Sequence, residues 1–247
     1  MIGIKASRRK AGKEEAEKPF WISFSDLMTA LMVLFLVAMA VALIAVTHGL
    51  ATIDQKARER KEEIDSCIAN LELLTLQTEF KGVVIRGKSY DDRSIDFGTL
   101  VQFAHGKHSF ENPSHEIFIR KFVPQVLHLA RSEKCHKWLK RVVVEGFSSK
   151  NGGHYLTNLN LSYLRSQRVL CALLTTKTAD ALTKEDREFI QTLFLVGGSS
   201  FNTADSEESQ MRRVELKLEF LGLEPASGAP LNIDLDPGTE CPNPPER

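Results

Sequence analysis

The strongest pattern in the chain is an apolar run from Trp21 to Val46, WISFSDLMTALMVLFLVAMAVALIAV, broken by little besides Asp26 and small hydroxyl residues. It exceeds the roughly 20 residues a bilayer core requires, so a single transmembrane helix is expected over residues 20–47. A cleaved signal peptide would carry a shorter apolar region without an acidic residue, and no small-x-small site follows here before the charged segment. After His48 and Gly49 the pattern becomes amphipathic, and Ile64, Ile68, Leu71 and Leu74 or Thr75 recur at helical spacing. Residues 48–82 therefore read as a helical connector. Its apolar stripe could pack on a second copy or on the domain that follows, and it holds too few heptads to define a coiled coil.

From Val83 onward short β-rich runs appear (VVI, SIDFG and VQF), separated by polar and glycine-containing turns. Ile117, Ile119, Phe122, Val126, Leu127 and Leu129 predict a helix from Ser114 to about Glu133. RVVVEGF from Arg141 reads as a buried strand and Leu161 to Leu174 as a helix, with a further helix from Lys184 to Leu195. RRVELKLEF from Arg212 alternates as a strand with one wet face does. The order of these elements predicts an α/β sandwich over residues 83–221, with helices on one side of a small mixed sheet. Residues 222–247, rich in Pro, Gly and Asp, read as a flexible tail. The fold class is membrane-anchored α+β.

Charge matters through its placement. Lys and Arg number 32, as do Asp and Glu, so no basic surface points to nucleic acid. Within residues 1–19, however, lie Lys5, Arg8, Arg9, Lys10, Lys13 and Lys18, and no further Lys or Arg occurs until Lys56. This asymmetry places the N-terminal tail in the cytoplasm and everything after the span in the periplasm of a cell with its inner membrane around the helix. Cys67, Cys135, Cys171 and Cys241 all follow the span, in a compartment where disulfides form. Four cysteines allow three pairings. Cys135 with Cys171 is the preferred one, because each lies on or at the end of a predicted helix, and some of the four could instead be small buried hydrophobes.

Asp26 is the most informative residue. It lies five residues beyond Trp21, roughly 7.5 Å along a helix. An aspartate in hydrocarbon costs roughly 2.5–3.5 kcal/mol even on a lenient insertion scale, so it ordinarily faces a protein partner or a wet cavity. Burial disfavours its charged form, and a carboxyl that gains and loses a proton is what an ion relay requires. Ser25 and Thr29 flank it; Thr29, Ala30, Val33 and Val37 continue a slim face, and Leu27, Leu31, Leu34 and Phe35 supply bulk elsewhere. One helix cannot wall off a channel, so a multi-helix partner is implied. The plain alternative is a carboxylate that reaches the headgroups and does nothing.

The segment Phe20-Trp21-Ile22-Ser23-Phe24-Ser25-Asp26-Leu27-Met28-Thr29-Ala30-Leu31-Met32 resembles the membrane segment of MotB-type stator subunits, with an aromatic before the acidic residue and D-x-M-T-A from it. The resemblance implies that Asp26 binds the translocated ion, with Ser25 and Thr29 lining the path. It further implies two copies of the chain, a homodimer, inside a ring of five MotA-like subunits that ion flow turns. The transported ion is expected to be H+, with Na+ as the alternative, because the polar set around Asp26 is sparse. No cofactor is expected.

A second resemblance, over about residues 83–221, is to OmpA-like peptidoglycan-binding domains. Val142-Val143-Val144-Glu145-Gly146-Phe147-Ser148-Ser149-Lys150-Asn151-Gly152 is similar to their strand and loop, Asn158 to Arg165 fits N-x-x-L-S-x-x-R, and Arg212-Arg213-Val214-Glu215 resembles their closing R-R-V-E strand. This implies peptidoglycan binding through Asn158, Leu161, Arg165 and Ser149. An arginine can hold a stem carboxylate through two parallel hydrogen bonds. Asn158 offers donor and acceptor, or else caps the helix, and core packing is the plain reading of Leu161. Where the family pattern G-x-T-D supplies an aspartate, this chain has Ser149, so wall binding is expected to be weaker or to lean on the avidity of two tethered copies.

No P-loop, G-x-S-x-G, H-E-x-x-H or paired C-x-x-C occurs, so the chain is not expected to be an enzyme. His105 with His108, and Cys135 with His136, are the arrangements that could suggest metal. Loop histidines of an exported domain mostly face solvent, and no metal is expected. The layout as a whole resembles most closely the MotB-like subunits of Zorya anti-phage systems, then flagellar MotB. A non-conducting membrane-to-wall tether and the ExbD and TolR transport energisers are more distant readings.

Overall fold

The computed structural model describes residues 17–76, 78–87, 93–149, 154–200 and 212–222, with the side chains of residues 17–20 and 78 left aside. Lys5, Arg8, Arg9, Lys10, Lys13, the side chains of Lys18 and Phe20, the loop residues Lys150, Asn151 and Gly152, Cys241 and the tail after Gly222 lie outside the described residues. The chain divides into two compact units, Met1–Lys56 and Ala57–Arg247.

The first unit is built on helix α1, Glu17–Thr75, whose last turns from Ala57 belong to the second unit. The Ala-, Leu- and Met-rich stretch after Trp21 favours helix and holds no internal proline. It is long and apolar enough to cross a membrane, and every residue from Trp21 to Val46 is exposed on the isolated chain.

The second unit is α+β. Strands β1 (Val84–Arg86), β2 (Arg93–Asp96), β3 (Leu139–Gly146), β4 (Phe194–Gly198) and β5 (Val214–Phe220) form one mixed sheet in the order β1-β2-β5-β3-β4. All neighbours are antiparallel except β3 and β4, which are joined through α4 (Tyr155–Leu174) and α5 (Lys184–Leu193), as parallel strands require a crossover. In register, Val142 faces Leu218, Val144 faces Leu216 and Gly146 faces Val214. With Ile95 of β2, these valines and leucines bury one sheet face against Ile119, Phe122, Val123 and Val126 of α2 (Pro113–Arg131) and Val169 and Leu173 of α4. The other face carries Arg141, Glu145, Glu215, Lys217 and Glu219, the alternation of a half-wet sheet.

Local chemistry sets the helix starts. Asn112 caps α2 by accepting from the Ser114 N–H at 2.9 Å, and Pro113 fills the first turn, where its missing donor costs nothing. Thr183 caps α5 by accepting from the Asp186 N–H at 3.1 Å, and its hydroxyl donates back to the Asp186 carboxylate at 2.8 Å.

The connector stripe packs on its own domain. Ile64 and Leu71 are fully buried and Ile68 nearly so; Ile64 and Ile68 lie on Trp138, with Ile85, Phe220 and Leu221 beside them. Arg60 Nε donates to the Leu221 carbonyl at 2.8 Å and the Trp138 indole N–H donates to the Glu63 carboxylate. The expected pairing of Cys135 with Cys171 is corrected here: Cys135, on the short helix α3 (Glu133–His136), is bonded to Cys67. The physical reason is the stripe itself. Cys67 sits between Ile64 and Leu71 on the buried side of the connector, so once that side docks, Cys67 is what Cys135 meets. Cys171 is disulfide-bonded as well.

Three elements differ from the sequence reading. Helix α4 starts at Tyr155 instead of Leu161, since the Asn158 N–H already donates to the His154 carbonyl at 3.1 Å. The predicted α5 stops at Leu193, and FLVGG becomes edge strand β4 against β3, because an apolar run that short carries no period to separate strand from helix. VQF forms no strand; Gln102 and Phe103 make isolated bridges to Arg213 and Phe110.

Candidate functional sites

In the first unit, helical geometry alone groups the residues around Asp26. At about 100° per residue, Ala30, Val33 and Val37 lie within about 40° of Asp26 and Thr29 within about 60°, while Phe35 is opposite. The Thr29 hydroxyl donates to the Ser25 carbonyl at 2.7 Å, one turn back. Its hydrogen is thereby committed to the backbone, and its oxygen lone pairs remain to accept from a protonated carboxyl or to meet a cation. Trp21 and Phe24 pair edge to face, ring centroids 6.5 Å apart, on the far side of the helix. The carboxylate thus lies on a strip of small and mid-sized side chains, with the aromatic and leucine bulk turned elsewhere.

In the second unit, the expected wall-binding residues gather where β3 ends and α4 begins. Glycine makes the approach possible. A Cβ on Gly146 would lie 2.1 Å from the Ser162 carbonyl oxygen, and one on Gly198 would lie 2.6 Å from Ser162 Oγ and 2.9 Å from the Tyr163 nitrogen. Helix α4 therefore rests directly on the ends of β3 and β4. Ser166 Oγ, fully buried, donates to the Gly197 carbonyl at 2.5 Å and secures the contact.

Arg165 is placed inward, with 1% of its surface exposed. Its NH1 donates to the Phe147 carbonyl at 2.6 Å and its Nε to the Lys107 carbonyl at 3.1 Å, and its guanidinium lies 5.4 Å from the Phe103 ring centroid. No carboxylate pairs with it among the described residues. Burial first, and the neighbouring positive charge of Arg212 second, pull its guanidinium down to about 10. Asn158 is buried in the first turns of α4, and its carbonyl accepts from Ser148 Oγ at 3.0 Å. Leu161 and Ser149 are half-buried, Ser149 in the loop after β3. Arg165, Asn158 and the loop of Ser149 are thus brought to one place, with Arg165 turned into the protein.

Sequence reasoning missed the residues that hold this place together. Lys107 belongs to a tight turn closed by Ala104 N–H to Ser109 carbonyl and Lys107 N–H to Ala104 carbonyl, both 3.0 Å. It reaches Arg165 across 58 positions, so no local signal announces it. His108 is buried, not solvent-facing as expected of a loop histidine, and its Nε2 has no partner among the described residues. Ser200, at φ 51°, is also fully buried with an unpartnered Oγ, while its N–H donates to Ser162 Oγ at 3.2 Å and its carbonyl accepts from the Ser148 N–H at 3.2 Å. The R-R-V-E segment has a positioning role. Arg212 donates to the Phe103 carbonyl at 3.0 Å, while Arg213 lies 4.4 Å from the Phe147 ring centroid, donates to the Glu215 carboxylate at 2.9 Å and lies 3.5 Å from Asp96. Among the described residues there is no cluster of three or more His, Cys, Asp or Glu that could hold a metal ion. Cys135 is committed to its disulfide and lends no thiolate to His136.

Comparison with known proteins gives three kinds of match. Residues 5–47 match the family described as membrane MotB of the proton-channel complex MotA/MotB. The chain is 38% identical over 239 residues to the Zorya protein ZorB of Escherichia coli O139:H28 (strain E24377A / ETEC), covering 96% of this chain and 95% of that protein. Among solved structures, it is similar to the periplasmic domain of Helicobacter pylori MotB (residues 90–256) at 15% identity and a TM-score of 0.39, over 57% of this chain and 80% of that one. It is also similar to the OmpA-like domain of FopA1 from Francisella tularensis subsp. tularensis SCHU S4 at 19% identity and a TM-score of 0.36, over 59% and 90% of the two chains.

Proposed function

Since the chain belongs to the ZorB family of MotB-like Zorya proteins, we propose that it is the ion-conducting, wall-anchored subunit of an inner-membrane rotary motor that acts in anti-phage defence. The observation that carries this reading is Asp26, the one charged residue between Trp21 and Val46, in a helix long and apolar enough to cross a membrane.

Two copies of the chain, N-termini in the cytoplasm and second units in the periplasm, stand inside a ring of five MotA-like subunits. The ring shields Asp26 from lipid, which a single helix cannot do. Asp26 of one copy takes up a proton from the periplasmic side and releases it toward the cytoplasm while its counterpart is in the opposite state, and each exchange moves the ring one step. One charge crossing the membrane field releases about 2.3 kcal/mol per 100 mV, enough to drive a step on the scale of a few hydrogen bonds. Thr29 accepts from the protonated carboxyl with its free lone pairs. The sparse oxygen set, Ser25 and Thr29 beside Asp26, suits a proton better than a sodium ion, which needs several oxygens at once.

The second unit holds the motor to peptidoglycan. A stem carboxylate binds Arg165, with Asn158 and Ser149 at the rim and Leu161 packing beneath. The chain performs no covalent chemistry in this scheme. The decisive experiment compares phage protection by wild type and Asp26→Asn at equal membrane abundance. Protection is expected to fall to that of cells lacking the system, and full protection by the variant would remove the relay. Retention on purified peptidoglycan is expected to fall for Arg165→Ala, and undiminished retention would take Arg165 out of the wall site.

A further inference from the structure

Arg165 has no free face through which a ligand could reach it. Its guanidinium is covered by the turn from Ala104 to Ser109, whose Lys107 carbonyl accepts from Nε at 3.1 Å, while the Phe147 carbonyl occupies NH1 at 2.6 Å. The base of the turn is fixed by Phe103 and Phe110, stacked at 5.1 Å, and by Arg212 donating to the Phe103 carbonyl at 3.0 Å.

The closed arrangement leaves polar demands unmet. Among the described residues this buried guanidinium has only neutral carbonyls as acceptors, and Arg212 adds a second positive charge nearby. A desolvated charge of this kind is stabilised far better by a carboxylate than by carbonyl dipoles. Among the described residues, His108 on the turn keeps a buried Nε2 with no partner, and Ser200, on the segment that bonds to both Ser148 and Ser162, keeps a buried unpartnered Oγ. An unpaired buried group such as His108 Nε2 costs free energy while the turn is down and regains a partner when water or a ligand reaches it. The backbone bonding of the turn is local. Its tip is Gly106 at φ +66°, with nothing within 4 Å of where a Cβ would stand, and its two backbone hydrogen bonds are internal to it.

We propose that the turn Ala104–Ser109 is a lid over Arg165, and that a carboxylate-bearing peptide binds only by displacing the Lys107 carbonyl from the guanidinium. The proposal rests on the wall-binding reading for the identity of the ligand, but not for the existence of the lid. Lid closure makes the free chain a poor wall binder, and opening exposes Arg165 together with His108, which then lies at the edge of the site as a further contact.

The test uses the full chain in detergent and two lid variants outside the ligand site. Gly106→Val strains the positive-φ tip without meeting any neighbour, and Phe110→Ala removes the aromatic stack at the base. Reactivity of Arg165 toward phenylglyoxal, followed by peptide mass spectrometry, reports the cover; retention on purified peptidoglycan reports its consequence. Arg165 is expected to react slowly in the wild type and at least about fivefold faster in Gly106→Val, as local opening without global unfolding predicts, with retention rising in parallel. Phe110→Ala repeats the comparison by an independent route if one variant folds poorly. Wild-type Arg165 reacting as fast as the exposed Arg131 would overturn the lid, and so would faster reaction in both variants with retention no greater than that of a wild type that is itself retained. If neither wild type nor variants are retained while Arg165 is slow in the first and fast in the others, the lid stands as a cover and the wall-binding reading falls.

Discussion

A β-carbon placed on Gly146 would sit 2.1 Å from the carbonyl oxygen of Ser162 and 2.7 Å from Ser166 Oγ. The first of these is backbone in the middle of α4 and cannot rotate away, so helix and strand would have to separate. Gly146→Ala is expected to destabilise the second unit by about 3 kcal/mol, the upper end of overpacking costs. Urea unfolding of the full chain in detergent, followed at Trp138, measures it; a loss below 1 kcal/mol would mean the contact is looser than described.

The disulfide between Cys67 and Cys135 closes a loop of 68 residues and ties the connector helix to α3. Chain-entropy reasoning assigns such a cross-link about 2–4 kcal/mol. The paired variant Cys67→Ser and Cys135→Ser is expected to lose that much, and hydrogen exchange should rise first over residues 60–75. Both effects are read by comparing the variant with wild type under oxidising conditions, and exchange spread evenly over the domain would contradict a local clasp.

Arg120 is buried and binds three acceptors: the Asp180 carboxylate at 2.7 Å, Glu116 at 3.0 Å and the Ala172 carbonyl at 3.2 Å. Its hydrogen bond holds the Asp180 carboxyl below the ordinary 3.8. A depressed carboxylate contributes stability that is present above the unfolded value and is lost as pH falls through the folded one. Asp180→Asn is therefore expected to cost less than about 1 kcal/mol at neutral pH, because Asp180 is partly exposed and screened. The difference should vanish once the pH is well below 3.8. Urea midpoints of wild type and variant, taken from pH 7 to pH 2.5, would show the gap closing, and a constant gap would point to packing instead of charge.

Thr29 donates to the Ser25 carbonyl at 2.7 Å, which leaves only its oxygen lone pairs for Asp26. Thr29→Val keeps the shape and removes the oxygen. Under the proposed relay it should weaken phage protection by up to about tenfold, the upper end of one neutral hydrogen bond, while leaving membrane abundance unchanged. Thr29→Ser should restore protection. A valine variant as protective as wild type would leave Thr29 with a packing role alone.

Much of this protein is legible locally. A bilayer admits only backbone that satisfies itself, so the apolar run from Trp21 announces a spanning helix, with Asp26 stranded in it, without reference to any distant residue. The strands from Arg141 and Arg212 and the helix from Pro113 likewise declare themselves through period. The residues of the second site were legible as members of a motif, but not in what they touch. The motif points to Arg165 as a ligand contact, but not to the Phe147 and Lys107 carbonyls, 18 and 58 positions away, to which it donates in this structure.

Only the tertiary structure decided which way the connector stripe turns, which cysteine Cys135 meets, that FLVGG is an edge strand, and that a turn centred on Gly106 covers Arg165. All four depend on what lies opposite a residue in space. Hydrophobic period fixes a helix's buried side but not its neighbour, and a sulfur, a strand edge or a guanidinium finds its partner only after those sides have packed.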